Sequence, residues 1–365
     1  MTDKIDEKLI LSVLGKVLDP ALKKDIVSLG YVQNLNVDNA CVTFTLALPT
    51  PLFPSKEKLR EESERVLLLL PGISSVKIKM QTEIRMEQNA RGVSGVKHII
   101  AVGSGKGGVG KSTLAVNLAA IFAEYGAKVG MVDGDIYGPS LPIMMGAKNA
   151  ELQQNERGII PIEAHGMKFM SMGLLSKGSA PLIWRGPMAH KAVQESLLRV
   201  DWGEIDYLFV DMPPGTGDVH LTLVQTVPVT GAVIVTTPQD VGMTISLKTY
   251  RMFEQTKVPV LGLIENMSRY LCPHCGKQDD IFGNGTVEGE ARRLRVPFLG
   301  SVPLNKKIRE YADQGIPLIL ADPMMAGAYV DIADKLATEI YVRTYNKKTL
   351  IIEEEPEEAA ESFAV

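Results

Sequence analysis

Cysteine is scarce here, with three thiols in 365 residues, at positions 41, 272 and 275. Three thiols cannot make a disulfide framework, so the chain is expected to work in the reducing cytoplasm. No apolar run approaches the ~18 residues of a membrane span. The opening Met1-Thr2-Asp3-Lys4-Ile5-Asp6-Glu7-Lys8 holds no apolar signal region either. Basic charge is not in excess. The net charge of −4 gives no electrostatic case for nucleic acid or for a membrane surface, and neither is expected as a partner. The remaining composition, 45% hydrophobic and 22% charged, is that of a globular protein long enough for two domains and a large core.

Glycine, by contrast, is concentrated. Gly103-Ser104-Gly105-Lys106-Gly107-Gly108-Val109-Gly110-Lys111-Ser112-Thr113 follows the apolar run His98–Val102, which reads as a buried strand. It precedes Leu114–Phe122, a strong helix former with apolar spacing near 3.6. Strand, glycine loop and helix in that order are the context required by the phosphate-loop pattern G-x-x-x-x-G-K-[ST]. Gly105, Gly110, Lys111 and Ser112 fill its fixed positions. Loop N–H groups form an anion nest to which the helix N-terminus adds positive potential. Lys111 is expected to neutralise the β- and γ-phosphates, and the Ser112 hydroxyl to ligate magnesium. The chain is expected to bind a nucleoside triphosphate with Mg2+.

Lys106 is surplus to a plain cradle, and two readings stand for it. It is a solvated lysine, or it reaches toward a γ-phosphate, its own or a partner's.

In chain order, residues 1–87 read as a small α+β domain. A first helix stops near Asp19-Pro20, and strands follow at Val32–Val37 and Val42–Leu48. A helix over Ser55–Leu70 and a strand over Ile73–Met80 complete it. Cys41 shares a strand face with Thr43 and Thr45 and reads as a packed cysteine. Residues 88–97 are polar and irregular, a linker. From 98 to 347 short apolar runs alternate with helical patterns, which predicts a doubly wound, mostly parallel sheet. Its strands are expected at His98–Val102, Lys128–Val132, Met167–Met170, Tyr207–Val210, Ala232–Val235, Val260–Ile264 and Phe298–Val302. A last helix is expected over Ala328–Tyr345. Residues 348–365 form an acidic tail, of the kind that is usually disordered.

Ligands gather at the carboxyl ends of strands in such sheets, and acidic residues recur there. Asp133 and Asp135 close the second strand on a glycine-flanked loop, suited to handling magnesium and water, though such a pair also serves to cap a helix. Asp211 ends an apolar run of Walker B form and is expected to hold magnesium through water. The Pro213-Pro214-Gly215-Thr216-Gly217 stretch after it suits a switch that senses the γ-phosphate. Asn266, just past another strand end, is placed to read the adenine edge. Trp184-Arg185-Gly186-Pro187 begins a helix with Pro187 in its first turn, and the role of Arg185 stays open.

Cys272-Pro273-His274-Cys275 has C-x-x-C spacing. A redox dithiol would place its first cysteine at a helix N-terminus, but Gly276-Lys277-Gln278-Asp279-Asp280 reads as a loop. Structural zinc and common iron–sulfur clusters both want four ligands. One pair plus the distant Cys41 cannot close such a site. Two subunits across a two-fold axis can, with Cys272 and Cys275 from each.

Several of these stretches resemble known families. Lys-Gly-Gly-Val-Gly-Lys-Ser is similar to the deviant phosphate loop of the MinD, ParA and nitrogenase-iron-protein superfamily. That resemblance implies an ATP-sandwich homodimer in which Lys106 reaches the other subunit's nucleotide. It also implies that Asp135 positions the attacking water, and it supports the adenine role of Asn266. Together with Asp135-Ile136-Tyr137-Gly138-Pro139-Ser140, Trp184–Met188, Asp211–Asp218 and Glu265–Ser268, the cysteine pair makes residues 95–345 resemble the Mrp/ApbC iron–sulfur carrier ATPases. The implied function is an ATPase that carries a cluster, of 4Fe–4S type, at a dimer-bridging site. Its implied partners are cluster-assembly proteins and the apoproteins that receive the cluster. Turnover is expected to be slow, since nothing beyond Asp135 has the look of a general base. The front domain, through Asp19-Pro20 and Asp25–Gly30, is similar to the small domain fused to Mrp proteins. That domain commonly carries Thr-Pro-x-Cys-Pro, whereas Phe53 stands in the thiol's place here, and a docking or regulatory module is expected. Three alternatives are kept: a MinD- or ParA-like positioning switch, an electron donor like the nitrogenase iron protein, and a small-molecule kinase or ligase of the same fold. The acidic tail opposes the first, whose members carry a basic one.

Overall fold

The computed structural model describes residues 6–86, 92–135, 138–175, 186–215, 217–272, 275–283 and 285–354. Its contacts divide it into two compact units, Met86–Leu336 and a smaller one of Met1–Arg85 with Ala337–Val365.

In the smaller unit, helix α1 (Glu7–Leu14) starts where the Asp6 carboxylate accepts the Lys8 N–H and stops at Gly15, earlier than the apolar pattern suggests. Strand β1 (Val32–Asp38) pairs antiparallel with β2 (Cys41–Leu48), and β3 (Ser75–Thr82) pairs parallel with β2. Val42, Phe44, Leu46 and Leu48 alternate into one core, closed by α2 (Lys56–Leu68) through Leu59 and Leu67. Cys41 is half-buried on β2.

Two findings here depart from the sequence expectation. The last helix runs Gly327–Glu354, past Tyr345 and into the acidic stretch; residues 355–365 lie outside the described ones. Its second half also belongs to the smaller unit and not to the unit expected to end at 347. The cause is polar as well as apolar. Asp19 is fully buried and accepts hydrogen bonds from the Ala21 and Leu22 N–H groups at 2.8 Å, from the Tyr31 hydroxyl at 2.9 Å and from the Tyr341 hydroxyl at 3.2 Å. Burial and the Asp19 charge push both tyrosine hydroxyls well above their usual range, so they stay as donors. Phe53 stacks on Tyr341 at 5.7 Å and meets Tyr31 edge-on. The residue that replaces the family's thiol is therefore a core aromatic.

In the larger unit seven strands run parallel: β4 (Val96–Ser104), β5 (Val129–Asp133), β9 (Met167–Ser171), β10 (Ile205–Asp211), β11 (Gly231–Thr236), β12 (Val260–Leu271) and β14 (Phe298–Leu304). Between β5 and β9 come a small hairpin, β6 (Gln153–Asn155) with β7 (Gly158–Ile160), and the antiparallel edge strand β8 (Ile162–Ala164). The sheet order is β13-β12-β11-β4-β10-β5-β9-β8, with β14 also on β12 and β13 (Gln278–Asp279) antiparallel to it. The expected strands all lie in this one sheet.

Because β4 is central and covered on both faces, Ile99 to Val102 are apolar without alternation. Helix α3 (Lys111–Glu124) is apolar nearly all round because Leu114 through Phe122 are buried, with Phe122 edge-on to Tyr207 and Phe209. Among the described residues no helix is long and apolar enough to cross a membrane.

Candidate functional site

The site forms where β4, β5, β10 and β12 end together, and the backbone builds it first. Asp211 lies opposite Val102 on one side and Asp133 on the other, by parallel register. The Gly134 N–H donates to the Asp211 carbonyl at 2.8 Å, and the Gly215 N–H donates to the Ser104 carbonyl at 3.0 Å. Phosphate loop, second-strand loop and Pro-Pro-Gly stretch are thus tied to one another by main-chain bonds.

The loop itself turns at Gly108 and Gly110, with φ of +77° and +78°. A Cβ on Gly110 would lie 2.2 Å from Nδ2 of Asn266, so the position needs glycine twice over. Asn266 is buried under the loop, where its Nδ2 donates to the Val109 carbonyl at 2.7 Å. In this arrangement one of its two amide N–H donors is committed to the loop's own backbone.

Inside the cradle Lys111 donates to Oδ1 of Asp211, and its Nζ lies 3.3 Å from the Ser112 hydroxyl. Burial holds Asp211 above the ordinary carboxylate range, against the pull of the Lys111 ammonium. Its Oδ2 is buried with no hydrogen-bond partner. Asp133 is fully buried as well. Its Oδ1 accepts the Asp135 N–H, and its Oδ2 accepts from the Ser140 and Leu141 N–H groups and the Ser171 hydroxyl. Burial, then the neighbouring Asp211 charge, pushes Asp133 up to about 7. Asp133 therefore holds the loop in place, and Asp135 lies half-buried beyond it, accepting the Gly138 N–H at 3.1 Å. Two carboxylates in register, one with an orphaned oxygen, and the Ser112 hydroxyl are hard oxygen donors of the kind magnesium takes. The residues present fit that ion.

Two neighbours were not expected from sequence. Gln239, at the N-cap of the helix Asp240–Gln255, accepts a hydrogen bond from Lys106 Nζ at 2.9 Å. His220 is fully buried on the helix Asp218–Thr226, and neither ring nitrogen meets hydrogen-bond geometry. Burial, with Lys111 adding to it, pushes its pKa down to about 4, so the ring is neutral. Neither carries a sequence signal, since each belongs to the site only through packing.

The cysteine pair lies just beyond the end of β12. Tyr270 and Leu271 pair antiparallel with Asp279 and Gln278, making a hairpin. The Cys272 N–H donates to the Lys277 carbonyl at 3.0 Å, and the Gly276 N–H donates to the Cys272 carbonyl at 2.9 Å. Cys272 is half-buried, Cys275 is exposed, and no disulfide joins them. Among the described residues the pair is flanked by the paired strand residues Leu271 and Gln278 and not by a helix. Among the described residues no group of three or more histidine, cysteine, aspartate or glutamate side chains could hold a metal. Trp184, Arg185, Ile136, Tyr137, Thr216 and His274 lie outside the described residues.

Comparison with known proteins agrees over nearly the whole chain. A family model described as NUBPL iron-transfer P-loop NTPase matches residues 95–340, and one described as iron-sulfur cluster assembly protein matches residues 7–80. A protein of Deinococcus radiodurans named iron-sulfur cluster carrier protein is 46% identical over 93% of this chain and 97% of its own length. A protein of the same name from Escherichia coli K12 is 40% identical over 91% and 92%. Among solved structures, a nucleotide-binding protein from Archaeoglobus fulgidus in complex with ADP is 39% identical, covers 60% of this chain and 87% of its own, and superposes with a TM-score of 0.55.

Proposed function

The chain belongs to the iron-transfer P-loop NTPase family, and from that premise we propose that it is an ATP-hydrolysing carrier of an iron–sulfur cluster. The cluster is cargo, held by Cys272 and Cys275 from each of two copies and passed to apoproteins. The observation that carries this reading is the position of the cysteine hairpin. It lies just past the end of β12, the strand whose Asn266 supports the phosphate loop, with Cys275 exposed and Cys272 half-buried. Since two thiolates make half of a four-thiolate site, the other half comes from a second copy.

On the nucleotide side, the N–H groups of residues 105–111 take the phosphate oxygens and Lys111 leaves Asp211 for the β- and γ-phosphates. Ser112 and, through water, Asp211 would hold magnesium, which would supply neutralisation of the phosphate charge. Asp135 orients the attacking water, and Lys106 meets phosphate oxygens of the facing copy. Without a stronger base, turnover is slow.

Anaerobic reconstitution of the full chain with iron and sulfide tests the reading. The expected product is a brown dimer with sulfur-to-iron charge-transfer absorbance, absent in Cys272→Ala. A Cys272→Ala protein that still binds stoichiometric iron and sulfide overturns the bridging site.

A further inference from the structure

We infer that Gln239 is a positioning residue for Lys106, and that the loop ending in Gln239 transmits the state of that lysine to the cysteine hairpin. The inference rests on the ATPase and carrier reading above. Three hydrogen bonds and one packed helix carry it, and together they form a circuit.

The first is Lys106 Nζ to Gln239 Oε1, at 2.9 Å. A lysine ammonium has three donors, and Gln239 takes one, which leaves two for phosphate oxygens. A long flexible stem is thereby fixed in direction before any nucleotide arrives. The second bond leaves from the adjacent residue. The Pro238 carbonyl accepts the Thr286 hydroxyl at 2.7 Å, and Thr286 opens the helix Thr286–Leu294 that follows the cysteine hairpin. That helix is in turn packed against β12, with Val287 and Ala291 buried in the same core as Leu263. The third bond is that of Asn266, on β12, whose Nδ2 holds the Val109 carbonyl at 2.7 Å and so returns to the phosphate loop.

The circuit has little slack. Thr237, Glu265 and Val287 are buried, and a packed interior passes a displacement on instead of absorbing it. Nor is it satisfied as it stands. Oγ1 of Thr237 and Oε2 of Glu265 are buried without a hydrogen-bond partner. Buried polar atoms left so favour any second arrangement that pairs them. When Lys106 turns toward phosphate, Gln239 moves with it, Pro238 shifts against Thr286, and the base of the hairpin bearing Cys272 and Cys275 is displaced. Phosphate loop and thiols are then coupled without a direct contact between them.

The test uses the full-length apoprotein with and without Mg2+ and a non-hydrolysable ATP analogue. It reads the iodoacetamide alkylation rates of Cys272 and Cys275 alongside steady-state ATP hydrolysis. In the wild type the analogue is expected to change the alkylation rates. Thr286→Val keeps the side chain's shape and loses its donor; it should hydrolyse ATP as the wild type does but lose the nucleotide-dependent change at the thiols. Gln239→Ala should lower kcat by about tenfold with KM for ATP little changed, and Gln239→Glu, which still accepts from an ammonium, should restore it. A Thr286→Val protein that retains the full change overturns the inference, and so does a Gln239→Ala protein with wild-type kcat. A wild type that hydrolyses ATP with no change at its thiols overturns the coupling alone. A wild type with no hydrolysis instead strikes the ATPase reading.

Discussion

Lys111 donates to the carboxylate of Asp211 across the floor of the phosphate loop, and both side chains are buried. The lysine expected on phosphate and the aspartate expected on magnesium thus neutralise each other. Neither could be left buried alone without a large desolvation cost.

Lys111→Ala should therefore do two things. ATP hydrolysis should fall at least about a hundredfold, as on loss of a charge-stabilising donor. The Asp211 carboxylate, already held above its usual range, should rise further. A carboxylate with a raised folded pKa binds its proton more readily when folded, so stability drops as pH rises through that pKa. The variant should match the wild type more closely at pH 5 and be destabilised by about 3–5 kcal/mol at pH 8. Urea unfolding at the two pH values decides; equal stability at pH 8 counts against a buried pair.

Asp133 makes a second pH prediction. Its folded value of about 7 lies above the ordinary 3.8, so the folded state holds the extra proton between those limits. Its contribution is unchanged below about pH 4, worsens as pH rises, and is fully unfavourable above about pH 7. Asp133→Asn should be less stable overall, because with its oxygen facing Ser140, Leu141 and Ser171 its NH2 would replace the oxygen that accepts the Asp135 N–H. Its stability should nonetheless fall less between pH 4 and pH 7 than that of the wild type. An unchanged slope would assign the titration elsewhere.

Gly110→Ala should cost more than a helix propensity change would suggest. The φ of +78° costs an alanine about 1–2 kcal/mol, and the new methyl meets Asn266 Nδ2 at once. Removing the obstacle in Gly110→Ala/Asn266→Ala should recover the clash but not the dihedral strain. Thermal unfolding of the single and double variants forms the cycle, and strict additivity would mean that the two groups do not collide.

Phe53→Cys places a thiol where the resemblance to the small Mrp-fused domain implies one. The aromatic is buried between Tyr31 and Tyr341, so the change should cost about 3–4 kcal/mol as cavity formation. The new thiol should resist alkylation in the folded protein and react after unfolding. Rapid alkylation of the folded variant would show that the position opens to solvent.

Lys106→Ala should reduce hydrolysis and remove its dependence on protein concentration, as a lysine acting on a facing copy requires. Unchanged hydrolysis would point to a plain monomeric loop.

Sequence alone reached far where chemistry is local. The phosphate loop is a contiguous string whose glycines, lysine and hydroxyl must be neighbours for the nest to form, so Gly105, Gly110, Lys111 and Ser112 announce it. Strands such as His98–Val102 were legible because a sheet covered on both faces demands unbroken apolar runs. The cysteine pair and its non-helical sequel were legible because a hairpin knuckle is also local. Tertiary structure decided what spans large separations. That Lys106 meets Gln239, 133 residues away, that Asn266 supports Val109, and that Tyr341 closes on Asp19 across 322 residues are matters of packing. Such pairs leave no periodicity or spacing behind, because each partner's own neighbourhood looks like an ordinary strand end or helix face. Their energy exists only once the folded sheet has brought distant strand ends together and excluded the water that would otherwise satisfy each group alone.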